Sequence, residues 1–227
     1  MGYGFTVRIR GARACFTRPE MHVERVSYDV MTPSAARGVM EAVYWKPAIV
    51  WRVDRIAVLN PIEFASIRRN ELNSKLSYDG AEGARRLWRT GEGEISVNAA
   101  EDRAQRNTLY LVDVDYLVEY HFDLTSRAGD EDTVEKHYSI ALRRLRKGQF
   151  FNHPYLGCRE FPAEVTLVEE GEARPASCYE GAGERDLGFM LYDLDFEAGK
   201  APQPRFFRAI MRDGVVDTAA ARRGLLS

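Results

Sequence analysis

Cysteine is scarce in this 227-residue chain: Cys15, Cys158 and Cys178 are odd in number, far apart and contain no Cys-x-x-Cys. That spacing argues against a disulfide framework and against a zinc knuckle. Histidine is nearly as rare, and His22, His121, His137 and His153 show no metal-ligand spacing. Histidine chemistry here therefore points to proton transfer rather than to a metal, and no metal or cofactor is expected. Long hydrophobic runs are missing too. No stretch approaches the roughly 18 uncharged apolar residues of a membrane span, and "GFTVRIRGARACF" sets arginines into its apolar run, unlike a signal peptide. No membrane role is expected, and the cytoplasm is the expected location.

A large charge of one sign is also absent, the net charge being −2, but the balance conceals a gradient. Residues 1 to 60 carry nine Lys/Arg against five Asp/Glu, whereas residues 151 to 227 carry nine against thirteen. An anionic partner is expected on the first segment and on the basic stretch at 136 to 147, with the acidic C-terminal part turned away.

What is present suffices for a core: 45% of residues are hydrophobic and 11% aromatic. Phe5, Val7 and Ile9 alternate with Thr6, Arg8 and Arg10, which predicts a strand with one buried face and one arginine face. In "TPSAARGVMEAVYW", Thr32 reads as an N-cap, Pro33 as the first helical residue, and Ala36, Val39, Met40 and Val43 as the apolar stripe, with the helix ending near Trp45. "AIVWRVDRIAVLN" and "TLYLVDVDYLVEYHFDL" read as strands, separated by a weakly patterned stretch that includes the glycine-laced residues 78 to 94. "DTVEKHYSIALRRLRKG" reads as a helix stopped by Gly148, and "AEVTLVEE" as a further strand.

The order strand, helix, strand, strand, helix, strand is that of a ferredoxin-like, RNA-recognition-motif-like domain. "LGFMLYDLDF" and "RFFRAIMRDGVVDT", the latter a hairpin about Asp213-Gly214, predict a small antiparallel C-terminal sheet with no helix. The expected class is α+β. Its expected division is a ferredoxin-like RNA-binding and catalytic domain at 1–165 and a β domain at 166–227.

Asp132 and Glu135 are spaced as a capping box, which sets Lys136 and His137 in the first helical turn. There the helix dipole and Lys136 together favour a phosphate and lower the histidine pKa. Arg143, Arg144, Arg146 and Lys147 follow; cations at a helix C-terminus compensate the dipole, but with Arg8, Arg10, Arg13 and Arg18 they also form a footprint for nucleic acid. Tyr44 and Lys46 lie where a helix hands over to a loop, and neighbouring cations could lower the Tyr44 phenol. Asp113 with Asp115, and Asp193 with Asp195, each place two carboxylates on one strand face, a pattern that can hold magnesium but more often marks a solvated face.

With "TPSAARGVMEAVYWKP", "QRNTL", "KH" at 136 and 137, and "RRLRKGQFFNHPYLGCREF" in this order, the chain resembles the CRISPR-associated repeat-associated mysterious proteins of the Cas-five class, subtype I-C, d-type. The resemblance implies a metal-independent endoribonuclease. Such a protein cuts the repeat hairpin of precursor CRISPR RNA and stays with the mature RNA and the other subunits of the interference complex. It implies Tyr44, Lys136 and His137 as the catalytic set, with His137 and Tyr44 dividing the acid and base roles and Lys136 stabilising charge. Arg8, Arg10, Arg13, Arg18, Lys46, Arg106, Arg143, Arg144, Arg146 and Lys147 are the expected RNA contacts. Double-stranded DNA is a further ligand to test on the basic face. The alternatives are a non-catalytic subunit holding the RNA 5′ handle, and a metal-dependent nuclease using one of the Asp pairs.

Overall fold

Alternation in the first strand has the expected consequence: Phe5, Val7 and Ile9 are buried, while Arg8 and Arg10 stay half-exposed on the other face. The computed structural model describes residues 3–21, 23–74, 83–92, 98–196 and 201–225; His22 and much of the glycine-laced stretch lie outside them. The elements are β1 (Gly4–Ala14), β2 (Arg25–Val26), α1 (Pro33–Val43), β3 (Ile49–Val58), β4 (Glu63–Leu72), α2 (Ala84–Thr90) and β5 (Arg103–Leu124). After these come α3 (Val134–Arg146), β6 (Glu164–Val168), β7 (Glu184–Asp195), β8 (Gln203–Arg212), β9 (Val215–Asp217) and α4 (Thr218–Leu225). Two compact units result, one of residues 1–65 with 109–227 and one of residues 66–108.

The larger unit mixes α and β and is dominated by an antiparallel sheet in the order β6-β1-β5-β3-β9-β8-β7. Its register sets Phe5 beside Tyr120, Val7 beside Val118 and Ile9 beside Tyr116, and β3 aligns Trp51 with Phe122 on the far side of β5. Cross-strand aromatic pairs of this kind hold a sheet face together. The Trp51 ring lies 5.3 Å from Phe122 and 5.9 Å from Phe5, and its indole N–H donates to the Tyr44 carbonyl at 2.7 Å. On this face α1 packs against β3, and the Tyr120 hydroxyl donates to the Ala36 carbonyl at 3.0 Å. In the smaller unit α2 is a short helix that ends on Gly91 in the left-handed region.

The predicted elements recur with local differences. Thr32 caps α1 by accepting from the Ala35 N–H at 3.2 Å, and the helix ends at Val43, slightly earlier than expected. At α3 the cap is Thr133, whose hydroxyl accepts from the Lys136 N–H at 3.2 Å, rather than Asp132. Asp132 precedes the cap, and its carboxylate turns back to the Gly129 N–H at 3.0 Å. The C-terminal part is not helix-free. α4 follows β9 directly, because the Asp217 carboxylate accepts from the Ala220 N–H at 2.8 Å and the alanines after it favour helix. The Thr218 hydroxyl fastens this turn to the Val53 carbonyl at 2.8 Å. The expected hairpin is present: Asp213 and Gly214 both have positive φ, 47° and 82°, as a two-residue primed turn requires.

The turn after α3 is clipped beneath the end of β1. Cys15 N–H donates to the Leu156 carbonyl at 3.0 Å, and the Cys158 thiol lies 3.7 Å from the Cys15 carbonyl. The neighbouring Cys15 thiol and the Arg25 guanidinium, which donates to the Cys158 sulfur at 3.9 Å, hold the Cys158 thiol below its ordinary pKa. Partial desolvation raises the Cys178 thiol instead. At pH 7 an iodoacetamide time course read by peptide mass spectrometry is therefore expected to alkylate Cys158 ahead of Cys178. The reverse order would contradict this placement.

Candidate active site

Tyr44 is the residue on which α1 stops, and His137 is the fourth residue of α3. Although 93 positions apart, they meet: the Tyr44 hydroxyl lies 2.8 Å from His137 Nδ1, with both side chains buried at 2% and 1% exposure. Trp51 holds the Tyr44 backbone from below, and the Phe122 ring stands edge-on to the imidazole at 6.4 Å. Arg144, two turns further along the same face of α3, lies over the Tyr44 ring at 5.3 Å and donates to the Val43 carbonyl at 2.7 Å.

The other side of the imidazole carries charge. His137 Nε2 is 3.2 Å from Asp132 Oδ1, but the carboxylate stands outside hydrogen-bond alignment, so the buried ring nitrogen has no aligned partner. The same Oδ1 lies 3.3 Å from Lys136 Nζ, which also donates to the Glu131 carbonyl at 3.1 Å. Burial lowers the His137 pKa below its ordinary value, Asp132 opposes the shift, and Lys136 and Lys46 add to it. The lowering agrees with the sequence expectation. Tyr44 does not: burial raises its phenol, and the countering effect of Arg144 is smaller. At neutral pH the site thus holds a neutral imidazole against a protonated phenol.

The basic residues divide into groups. Lys46 is exposed beside the site, and Arg143 and Lys147 are exposed towards the end of α3. Arg146 makes two hydrogen bonds to Glu169, at 2.6 and 2.9 Å. Arg8 and Arg10 face away from Tyr44 and His137, on the opposite side of the sheet, and are bound by Asp115 at 2.5 Å and Glu164 at 2.7 Å. Arg13 lies over the Tyr110 ring, and Arg18 lies over Tyr28 while pairing with Asp29 at 3.3 Å. Arg106, in the smaller unit, donates to Asn73 at 3.1 Å. Of the acidic pairs, Asp115, Asp193 and Asp195 each accept from an arginine, Arg8, Arg37 and Arg205 respectively. Among the described residues no group of three His, Cys, Asp or Glu side chains is placed to hold a metal ion, and no helix is long and apolar enough to cross a membrane.

A further histidine was not singled out by sequence reasoning. His121 Nδ1 pairs with Asp54 at 2.5 Å, Arg222 reaches the same carboxylate at 3.2 Å, and His121 lines an open cavity of about 500 Å³. Asp132 was read only as a cap. Its spacing from Lys136 and His137, four and five positions, was the one available signal that it faces both.

A buried tyrosine–histidine pair with a lysine and a carboxylate at its open side, on an antiparallel sheet with helices packed against it, defines a protein of acid–base side-chain chemistry. The chain belongs to the CRISPR-associated protein Cas5 family: the d-type model of that family matches residues 4–218. It is 48% identical over 212 residues to the CRISPR pre-crRNA endoribonuclease Cas5d of Mannheimia succiniciproducens, covering 93% of this chain and 92% of that one. It is 37% identical over 233 residues to the protein of the same name from Thermus thermophilus, covering 95% and 91%. A solved CRISPR-associated protein superposes with a TM-score of 0.68 at 28% identity, over 95% of this chain and 91% of that one. A chain of a CRISPR RNA-guided surveillance complex shares the fold, with a TM-score of 0.54 at 16% identity over 94% and 89%.

Proposed function

We propose that this chain is a metal-independent, site-specific endoribonuclease that cleaves the repeat hairpin of precursor CRISPR RNA and remains with the product as a subunit of the type I-C interference complex. The relatives named pre-crRNA endoribonucleases support the substrate. The observation that carries the chemistry is the 2.8 Å contact between the Tyr44 hydroxyl and His137 Nδ1 with Lys136 alongside. RNA brings its own nucleophile, the 2′-hydroxyl. Cleavage then requires a proton acceptor there, a donor at the departing 5′-oxygen, and positive charge at the phosphorane. Tyr44 and His137 carry the two proton transfers, and the Lys136 ammonium stabilises the charge.

Exposed Lys46, Arg143 and Lys147 are phosphate contacts in this reading, and Arg8, Arg10, Arg13, Arg18, Arg106, Arg144 and Arg146 complete the proposed RNA-binding set. Those already paired must exchange a carboxylate or carbonyl for a phosphate to take part. Double-stranded DNA is the further ligand to test on the same residues, and the cytoplasm is the inferred location.

We also propose that β1, α1, β3, β5, α3 and β6 form a ferredoxin-like RNA-binding and catalytic part, residues 1–165, followed by an antiparallel β part, residues 166–227. The sheet order β6-β1-β5-β3 supports the first, being the order of the split βαβ arrangement; β6 runs across the dividing line.

One observation favours the second reading, a non-catalytic subunit that holds the RNA 5′ handle: Tyr44 and His137 are both buried in the free chain. The two readings separate on product analysis in the presence of a chelator. The enzyme yields fragments ending in a 2′,3′-cyclic phosphate and beginning with a 5′-hydroxyl; bound but intact RNA supports the holding subunit.

A further inference from the structure

Three observations around His137 remain unused by the proposed acid–base pair. The imidazole is almost wholly buried, yet its Nε2 has no aligned hydrogen-bond partner. A carboxylate, Asp132, stands 3.2 Å from that nitrogen and 3.3 Å from Lys136 Nζ. Finally, Asp132 is fixed by its contact to the Gly129 N–H at 3.0 Å, immediately before the Thr133 cap of α3. A buried polar atom without a partner is costly, and a carboxylate facing an unprotonated ring nitrogen is repelled by its lone pair.

We infer that Asp132 is a positioning residue: it fixes the proton of neutral His137 on Nε2, leaving Nδ1 to accept from Tyr44, so that Tyr44 is the base side and His137 Nε2 the acid side of the cleavage. The inference rests on the endoribonuclease reading above and deepens it. The logic is that of a triad in which an acid orients a histidine through one ring nitrogen while the other takes a hydroxyl proton.

As the 2′-oxygen bonds to phosphorus, its proton passes to the Tyr44 oxygen and the Tyr44 proton passes to His137 Nδ1. The imidazolium so formed lies against the Asp132 charge. The bond from phosphorus to the 5′-oxygen breaks with its electron pair on that oxygen, which takes the Nε2 proton. His137 ends neutral with the proton on Nδ1 and returns to its starting tautomer by exchange with solvent water. No proton is gained or lost overall.

The charged and titratable groups facing His137 are Asp132 and Lys136 from the start of α3, and Tyr44 and Lys46 from the end of α1; Arg144 faces Tyr44. Of these, Asp132 opposes the lowering of the His137 pKa. Removing its charge lowers that pKa further, so the acid limb of the pH–rate profile, where His137 must be neutral to accept the proton, moves to lower pH.

The test combines two readouts. In the wild-type chain, long-range 1H–15N correlation of the imidazole is expected to place the neutral-form proton of His137 on Nε2. In Asp132→Asn, single-turnover cleavage of the repeat hairpin is expected to fall by roughly 10²-fold, with the acid limb displaced to lower pH and RNA affinity unchanged within about twofold. A proton on Nδ1 in the wild type overturns the inference, as does an Asp132→Asn rate within threefold of the parent with an unmoved profile. If the wild type does not cleave at all, the enzyme reading fails. The tautomer measurement then still decides the placement of Asp132.

Discussion

His137→Ala is expected to bind the CRISPR repeat hairpin within about twofold of the parent affinity and to cleave it about 10²- to 10⁴-fold more slowly, the range for loss of a positioned acid–base group. The reason is geometric: the imidazole touches both the Tyr44 hydroxyl, at 2.8 Å, and the Asp132 carboxylate that pairs with Lys136. The proposed phosphate contacts Lys46, Arg143 and Lys147 are exposed side chains outside the buried Tyr44–His137 pair. Filter binding and single-turnover cleavage in chelator separate the two effects. Undiminished cleavage would remove His137 from the chemistry, and a parallel loss of binding would make it a structural residue.

Gly157→Ala is expected to cause the largest loss of stability among single methyl additions at the described glycines. Gly157 has φ +80°, and a Cβ there would lie 2.0 Å from the Cys15 carbonyl oxygen and 2.7 Å from its carbon, both backbone atoms that cannot step aside. A side chain in the left-handed region costs about 1–2 kcal/mol, and forcing an extra methyl into packed backbone a further ~1–3 kcal/mol. For a chain of this size the sum corresponds to a fall in Tm of roughly 10 °C. Gly148→Ala is the control. It shares the positive φ, at +59°, but a Cβ there meets nothing within 4 Å, so only the backbone cost of about 1–2 kcal/mol applies. Thermal melts showing the two variants equally stable would contradict the clipping of this turn beneath β1.

The same turn shows what was legible in the sequence. Gly148 was legible as a helix stop, but nothing local revealed that Gly157 lies against Cys15, since that contact joins chain segments far apart. Elements with strong periodicity were legible: the alternation of β1, the Thr32-Pro33 start of α1 and the Asp213-Gly214 turn are local signals. α4 was missed because "VVDTAAARRG" begins as a strand and changes period after Asp217, at the end of the stretch read as a hairpin.

The candidate site was legible in its residue types and not in its energetics. Counting neighbouring cations suggested a lowered Tyr44 phenol, but burial dominates and raises it, and burial is a property of the assembled core. Arg8 and Arg10 looked like an open arginine face, yet their partners Asp115 and Glu164 stand 107 and 154 positions away. Only the sheet register brings them together. Asp132 lay close enough to be noticed, but helix capping explained it until the cap was found on Thr133.

The central claim is 2′-hydroxyl cleavage carried by Tyr44, Lys136 and His137. Its most direct test is incubation of the purified chain, in chelator, with an end-labelled repeat hairpin and with a copy bearing a single 2′-deoxy nucleotide before the scissile phosphate. The account predicts one cut in the all-ribose hairpin and none at that position in the deoxy copy, with both bound equally. Cleavage of the deoxy copy at the same site, or tight binding of an all-ribose hairpin that is never cut, would contradict it.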